Sequence, residues 1–182
     1  RYLVPGGGSI VFELLPGDTL RVIDPEGRQV AEVVPFADGQ PDPGALGELT
    51  TPTTEATGLK ALLSTDDASA RQVAAGLARR GVDLATARAI PIFSADSPAD
   101  EEVSFVATRR LTCVVAAPGS PMAVDEQSPP TSLVVWVQQA DHSLPFQPML
   151  PEPLADPQQD FRIERCTARE YTVKAGEYIQ IM

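Results

Sequence analysis

The stretch Ile10-Val11-Phe12-Glu13-Leu14-Leu15-Pro16-Gly17-Asp18-Thr19-Leu20-Arg21-Val22-Ile23 decides the class of fold. Two apolar runs of strand length flank Pro16-Gly17-Asp18, whose residues are typical of a turn. A second turn at residues 25–28 and a further apolar run at residues 30–36 follow. We therefore predict three strands joined as a meander.

The composition favours the same class of fold for the whole chain. The 182 residues are 43% hydrophobic and include 18 prolines and 13 glycines, which interrupt helices and mark turns. We predict a β-dominated α+β fold, in which antiparallel sheets form a sandwich or barrel-like core with one or two short helices. Residues 1–167 are expected to form a single β-rich domain.

The later strands are predicted at residues 103–107, 111–116 and 133–138, as a second β unit. Between the two groups, Ala70, Val73 and Leu77 have the spacing of an amphipathic helix, which Gly81 would end. Thr57 or Ser64 is a candidate cap of a short helix.

Charge and cysteine content exclude some classes of protein. A net charge of −11 argues against nucleic acid as a partner, because phosphate binding needs clustered Lys and Arg. The apolar runs are far shorter than the roughly 20 residues of a membrane span. Only two cysteines are present, so we expect reduced thiols and a cytoplasmic protein.

The residues that could hold a metal or start catalysis are few. Cys113, Cys166 and the single histidine, His142, lack the spacing of a zinc site, and no G-x-S-x-G motif is present. We therefore predict no catalytic residue and no metal ligand in this chain. A buried Cys113, a second structural thiol and a solvated His142 are the simpler interpretation.

One polar cluster is a candidate binding site. Asp24, Arg28 and Gln29 follow a predicted strand, where a turn can present a carboxylate, a guanidinium and an amide together. These three residues are the predicted substrate-binding residues for a small polar ligand. Alternatively, Asp24 closes an Asx-turn and Arg28 pairs with a nearby acid.

The C-terminal stretch repeats the pattern of the opening one. Residues 170–182 read as strand, glycine-acid turn and strand, and Gly176 follows Gly17 by 176 − 17 = 159 positions. Residues 168–182 either close the domain or begin a second tandem copy. Before them, five prolines in residues 142–157 predict an extended strap.

Three groups of residues carry a family resemblance: residues 15–29, residues 108–111 (Thr-Arg-Arg-Leu), and residues 116–122 with 129–133. They resemble the urea-carboxylase-associated family. They are most similar to the first of two tandem copies that precede a glycine-cleavage T-protein-like module in enzymes of the trimethylamine-oxide demethylase type.

The resemblance implies a function for a larger protein. It implies a zinc-dependent lyase that cleaves a carbon–nitrogen bond of trimethylamine N-oxide, gives dimethylamine and formaldehyde, and binds tetrahydrofolate. The chain would be the metal-free, structural companion copy, with the adjacent tandem domain and a homo-oligomer as partners. The alternative is a free-standing binding module or enzyme that uses Asp24, Arg28 and Gln29.

Overall fold

A computed structural model of the protein describes residues 1–49, 51–65, 68–119, 129–141, 168 and 170–172. The strands in these ranges are β1 (Tyr2–Val4), β2 (Gly8–Leu14), β3 (Thr19–Asp24), β4 (Ala31–Ala37), β5 (Gln40–Pro41), β6 (Thr54–Glu55), β7 (Arg88–Phe93), β8 (Glu101–Val106), β9 (Leu111–Ala117) and β10 (Leu133–Gln138). The α-helices are α1 (Thr57–Leu63) and α2 (Ala68–Arg79), and short 3-10 helices occupy Pro43–Leu46 and Leu84–Thr86.

The strands form two antiparallel sheets. One sheet has four strands in the order β1-β10-β3-β8, and the other has six, in the order β2-β9-β4-β7-β6 with β5 paired to β4. Every described strand pair is antiparallel. The predicted β-dominated α+β fold with antiparallel sheets and two short helices is confirmed.

The predicted connection of the strands is wrong. Strand β2 pairs with β9, whereas β3 lies in the other sheet between β10 and β8, so β2, β3 and β4 form no meander. The turn at residues 15–18 is a corner between the two sheets. Val114, Val115 and Ala116 on β9 are all buried, so both faces of β9 are covered, as expected for a central strand, and β9 pairs with β2 on one edge and β4 on the other. The predicted second β unit is therefore also absent, since strands from both halves interleave.

The core lies between the two sheets. The four-stranded sheet contributes Leu20, Val22 and Val135, and the six-stranded sheet contributes Leu14 and Val33 among others. Each of these side chains is fully buried. Burial of one such side chain contributes about 1.5 to 3 kcal/mol, so this layer supplies the main driving force for folding.

The two helices cover the other side of the six-stranded sheet and form a third layer. Leu59 of α1, and Val73 and Leu77 of α2, pack with Val34 and Phe36 of β4. Strand β4 is consequently buried at all seven of its positions. Neither helix is long and apolar enough to cross a membrane, within the ranges described above.

The end of α2 matches its prediction. The backbone N–H of Gly81 donates to the carbonyl of Ala78 and that of Val82 to the carbonyl of Leu77, each at 3.0 Å. Gly81 has a φ of 71°, so the helix ends in a Schellman motif with glycine at C′. The buried pair Leu77 and Val82 supplies the hydrophobic contact that accompanies this motif.

The outer side of the four-stranded sheet differs from that of the six-stranded sheet. Leu3, Trp136 and Val106 are 63%, 44% and 51% exposed, and neither described helix packs against this side. The Arg1 guanidinium lies 5.9 Å from the Trp136 ring centroid, within the range of a cation–π contact. The two outer sides of the sandwich are therefore unlike: one is covered by helices, and the other exposes large apolar side chains.

Candidate functional site

Asp24 ends β3 and is fully buried. One carboxylate oxygen accepts a hydrogen bond from the backbone N–H of Gly27, and the other accepts from the N–H of Gln29, both at 2.9 Å. Its backbone carbonyl accepts from the N–H of Asp100 at 2.8 Å. The carboxylate thus closes the turn at residues 24–29, but through the third and fifth residues on rather than the second, which an Asx-turn would require.

Gln29 is also buried and connects separate parts of the chain. Its side-chain nitrogen donates to the carbonyls of Val30, at 2.7 Å, and Pro118, at 2.9 Å. Its side-chain oxygen accepts from the backbone N–H of Thr131 at 2.7 Å. The amide therefore ties the end of β9 to the residues that lead into β10.

Arg28 points the other way. It is exposed, has a φ of 66°, and its Nε donates to the carbonyl of Ala95 at 3.4 Å. The turn thus brings the three predicted substrate-binding residues together in sequence but directs Asp24 and Gln29 inward and Arg28 outward. That they bind a small polar ligand stays a prediction.

Asp18, in the first turn of the resemblance motif, has a similar role. Its two carboxylate oxygens accept from the backbone N–H groups of Leu15, at 2.9 Å, and Ala140, at 3.0 Å. Its carbonyl accepts from Ala107, also at 2.9 Å. The motif's acids are therefore acceptors that hold turns together, and the sequence pattern alone did not reveal that Asp18 reaches Ala140.

Glu32 is a buried acid that the sequence analysis did not single out. It is 8% exposed, lies within β4, and its carboxylate accepts from the backbone N–H of Leu59 at 2.5 Å. Burial raises the pKa of Glu32, whereas hydrogen bonds from the backbones of Leu59 and Gly58 oppose that rise. The sequence did contain a signal for this residue, since Glu32 is a charged residue within the apolar, strand-forming run at residues 30–36.

The same contact explains the start of α1. Thr57 is the first helical residue rather than the cap, and Ala56 at the N-cap position has no side chain that can accept a hydrogen bond. Glu32, 27 positions away in sequence, supplies the acceptor instead. The expectation that Thr57 caps this helix is wrong for that reason, while Ser64 lies at its C-terminal cap.

Of the candidate metal ligands, Cys113 alone lies in the part of the chain that the structure describes. No three of the described His, Cys, Asp and Glu residues are placed to hold a metal ion. Cys113 is fully buried in β9, and burial raises the pKa of its thiol, which keeps it protonated. The described residues thus do not fit the zinc that the resemblance implies for the larger protein. Cys166 and His142 lie outside the described residues.

A surface cavity of about 350 Å³ lies away from the predicted turn. Its charged lining residues are Glu13 on β2, Asp38 in the β4–β5 turn, Arg80 just after α2, and Arg110 just before β9. Arg110 forms an ion pair with Glu13. The sequence analysis did not find this site, because its residues are far apart in the chain.

The comparisons with known proteins identify one curated relative. No family model matches the chain. The chain is 40% identical over 184 aligned residues to trimethylamine-oxide aldolase of Ruegeria pomeroyi. The whole chain is similar to one part of that enzyme. All of the chain is aligned, but it spans only 23% of the enzyme's length. The resemblance to enzymes that act on trimethylamine N-oxide, which the sequence motifs predicted, is thereby confirmed.

Among solved structures, the chain is similar to a DUF1989 family protein from Silicibacter pomeroyi. The two are 14% identical, with a TM-score of 0.44 over 86% of this chain and 84% of the other.

Proposed function

We propose that the chain is a metal-free, non-catalytic companion domain of a larger zinc-dependent lyase, which converts trimethylamine N-oxide into dimethylamine and formaldehyde. One observation carries this proposal: the entire chain aligns, at 40% identity, with 23% of the length of trimethylamine-oxide aldolase. A similarity that involves all of one chain and less than a quarter of the other fits one domain of a multidomain enzyme.

The chemistry of the motif residues supports a structural role. Asp18 and Asp24 use both carboxylate oxygens as acceptors for backbone N–H groups, and Gln29 uses both ends of its amide. Side chains committed in this way stabilise turns and are poorly placed to act on a substrate. Zinc and tetrahydrofolate would then be bound by other parts of the larger protein.

The exposed side of the four-stranded sheet supports a role as a companion. Leu3, Val106 and Trp136 present large apolar side chains there. Leu3 on β1 and Trp136 on the neighbouring strand β10 lie close to the Arg21–Glu102 ion pair on this face, and a mixed apolar and charged surface is typical of contacts between domains. In the larger protein we assign this surface to contact with the adjacent tandem domain.

The proposal is tested by assaying the 182-residue chain for turnover of trimethylamine N-oxide, with formaldehyde and dimethylamine as readouts. The trimethylamine-oxide aldolase of Ruegeria pomeroyi serves as the positive control. We expect the control to release both products, and the chain to release neither and to hold no stoichiometric zinc by elemental analysis. Turnover by the chain alone, or one bound zinc per chain, would overturn the proposal.

A further inference from the structure

We draw no further inference here: the strongest candidate, the exposed apolar patch that Leu3 of β1, Val106 of β8 and Trp136 of β10 form on the outer side of the four-stranded sheet, carries nothing beyond the domain contact already proposed, because nothing in the structure shows what covers it.

Discussion

At the scale of single residues, three buried acids fix turns and the start of a helix through hydrogen bonds with the backbone. Asp18, Asp24 and Glu32 each accept hydrogen bonds from backbone N–H groups. Charge-assisted bonds of this kind are stronger than neutral ones, and loss of a buried acceptor costs about 1 to 3 kcal/mol. Burial raises the pKa of Glu32, which makes its contribution to stability depend on pH.

The raised pKa of Glu32 predicts the sign of that dependence. The folded state binds a proton at Glu32 more tightly than the unfolded state, whose pKa is near 4.5. The contribution of Glu32 to stability is therefore fully present below pH 4.5 and is lost as pH rises through the higher folded-state pKa. Glu32→Gln cannot titrate, so we expect its free energy of unfolding, relative to wild type, to increase with pH across this window. Urea unfolding at a series of pH values measures the difference.

Glu55→Gln is a matched control for this measurement. Glu55 also lies beside α1, but it is exposed, and its pKa is lowered by its hydrogen bond with Lys60. Its stabilising contribution is present above the unfolded-state pKa, so the relative stability of Glu55→Gln is expected to change with pH in the opposite direction. Parallel curves for the two variants would contradict the assignment to Glu32.

At the scale of elements, the β4–β5 hairpin is joined to the end of α2 by two glycines. Asp38 and Gly39 have φ values of 49° and 78°, as a two-residue hairpin turn requires. Gly39 packs against the carbonyl of Gly81, which ends α2. This contact holds a turn of the sheet directly against the helical layer.

The two glycines are expected to differ in their tolerance of a methyl group. Both have positive φ, but a Cβ at Gly39 would lie 2.6 Å from a backbone oxygen, whereas nothing lies within 4 Å of one at Gly81. Gly81→Ala should therefore cost about 1 to 2 kcal/mol from strain alone. Gly39→Ala should cost about 1 to 3 kcal/mol more, because the backbone must also move. Chemical denaturation measures both, and equal losses would contradict the close contact.

The sequence predicts elements better than their partners. Hydrophobic spacing and Gly81 place α2 and its end, since these signals are local. Strand β7 was not predicted, because it contains Pro91, and proline is unusual in a paired strand. In the structure, Pro91 lies at the point where the pairing of β7 with β4 is irregular. The exchange of β2 and β3 between sheets depends on long-range pairing, which the turn at residues 15–18 does not encode.

At the scale of the whole molecule, β9 is a central strand, and the reactivity of Cys113 on it can report unfolding of the whole domain. Its thiol is fully buried between β2 and β4. In the variant Cys166→Ser, Cys113 is the remaining cysteine of the chain. We expect no reaction with a thiol reagent in the native state and one reacting thiol in denaturant, at the concentration where circular dichroism reports unfolding. Labelling before that transition would show that β9 opens locally.

The candidate sites differ in the same way: residues that are adjacent in the sequence could be predicted to form a site, and residues that are far apart in the sequence could not. The turn at residues 24–29 was found because its polar residues are adjacent, and its Asx-turn alternative follows from ordinary turn chemistry. The cavity joins Glu13, Asp38, Arg80 and Arg110, which no sequence motif connects. Glu32 as the cap of α1 was equally invisible, because its partner lies 27 positions away.

The hydrogen bonds of Gln29 have a consequence for how such a domain can evolve. Its amide holds Pro118 on one side and Thr131 on the other, so both ends of the intervening segment are anchored to one residue. We therefore expect insertions or deletions between those anchors to leave the pairing of β9 in one sheet and of β10 in the other unchanged. A lineage can therefore lengthen or shorten this segment to suit a new neighbour while the sandwich itself is inherited intact.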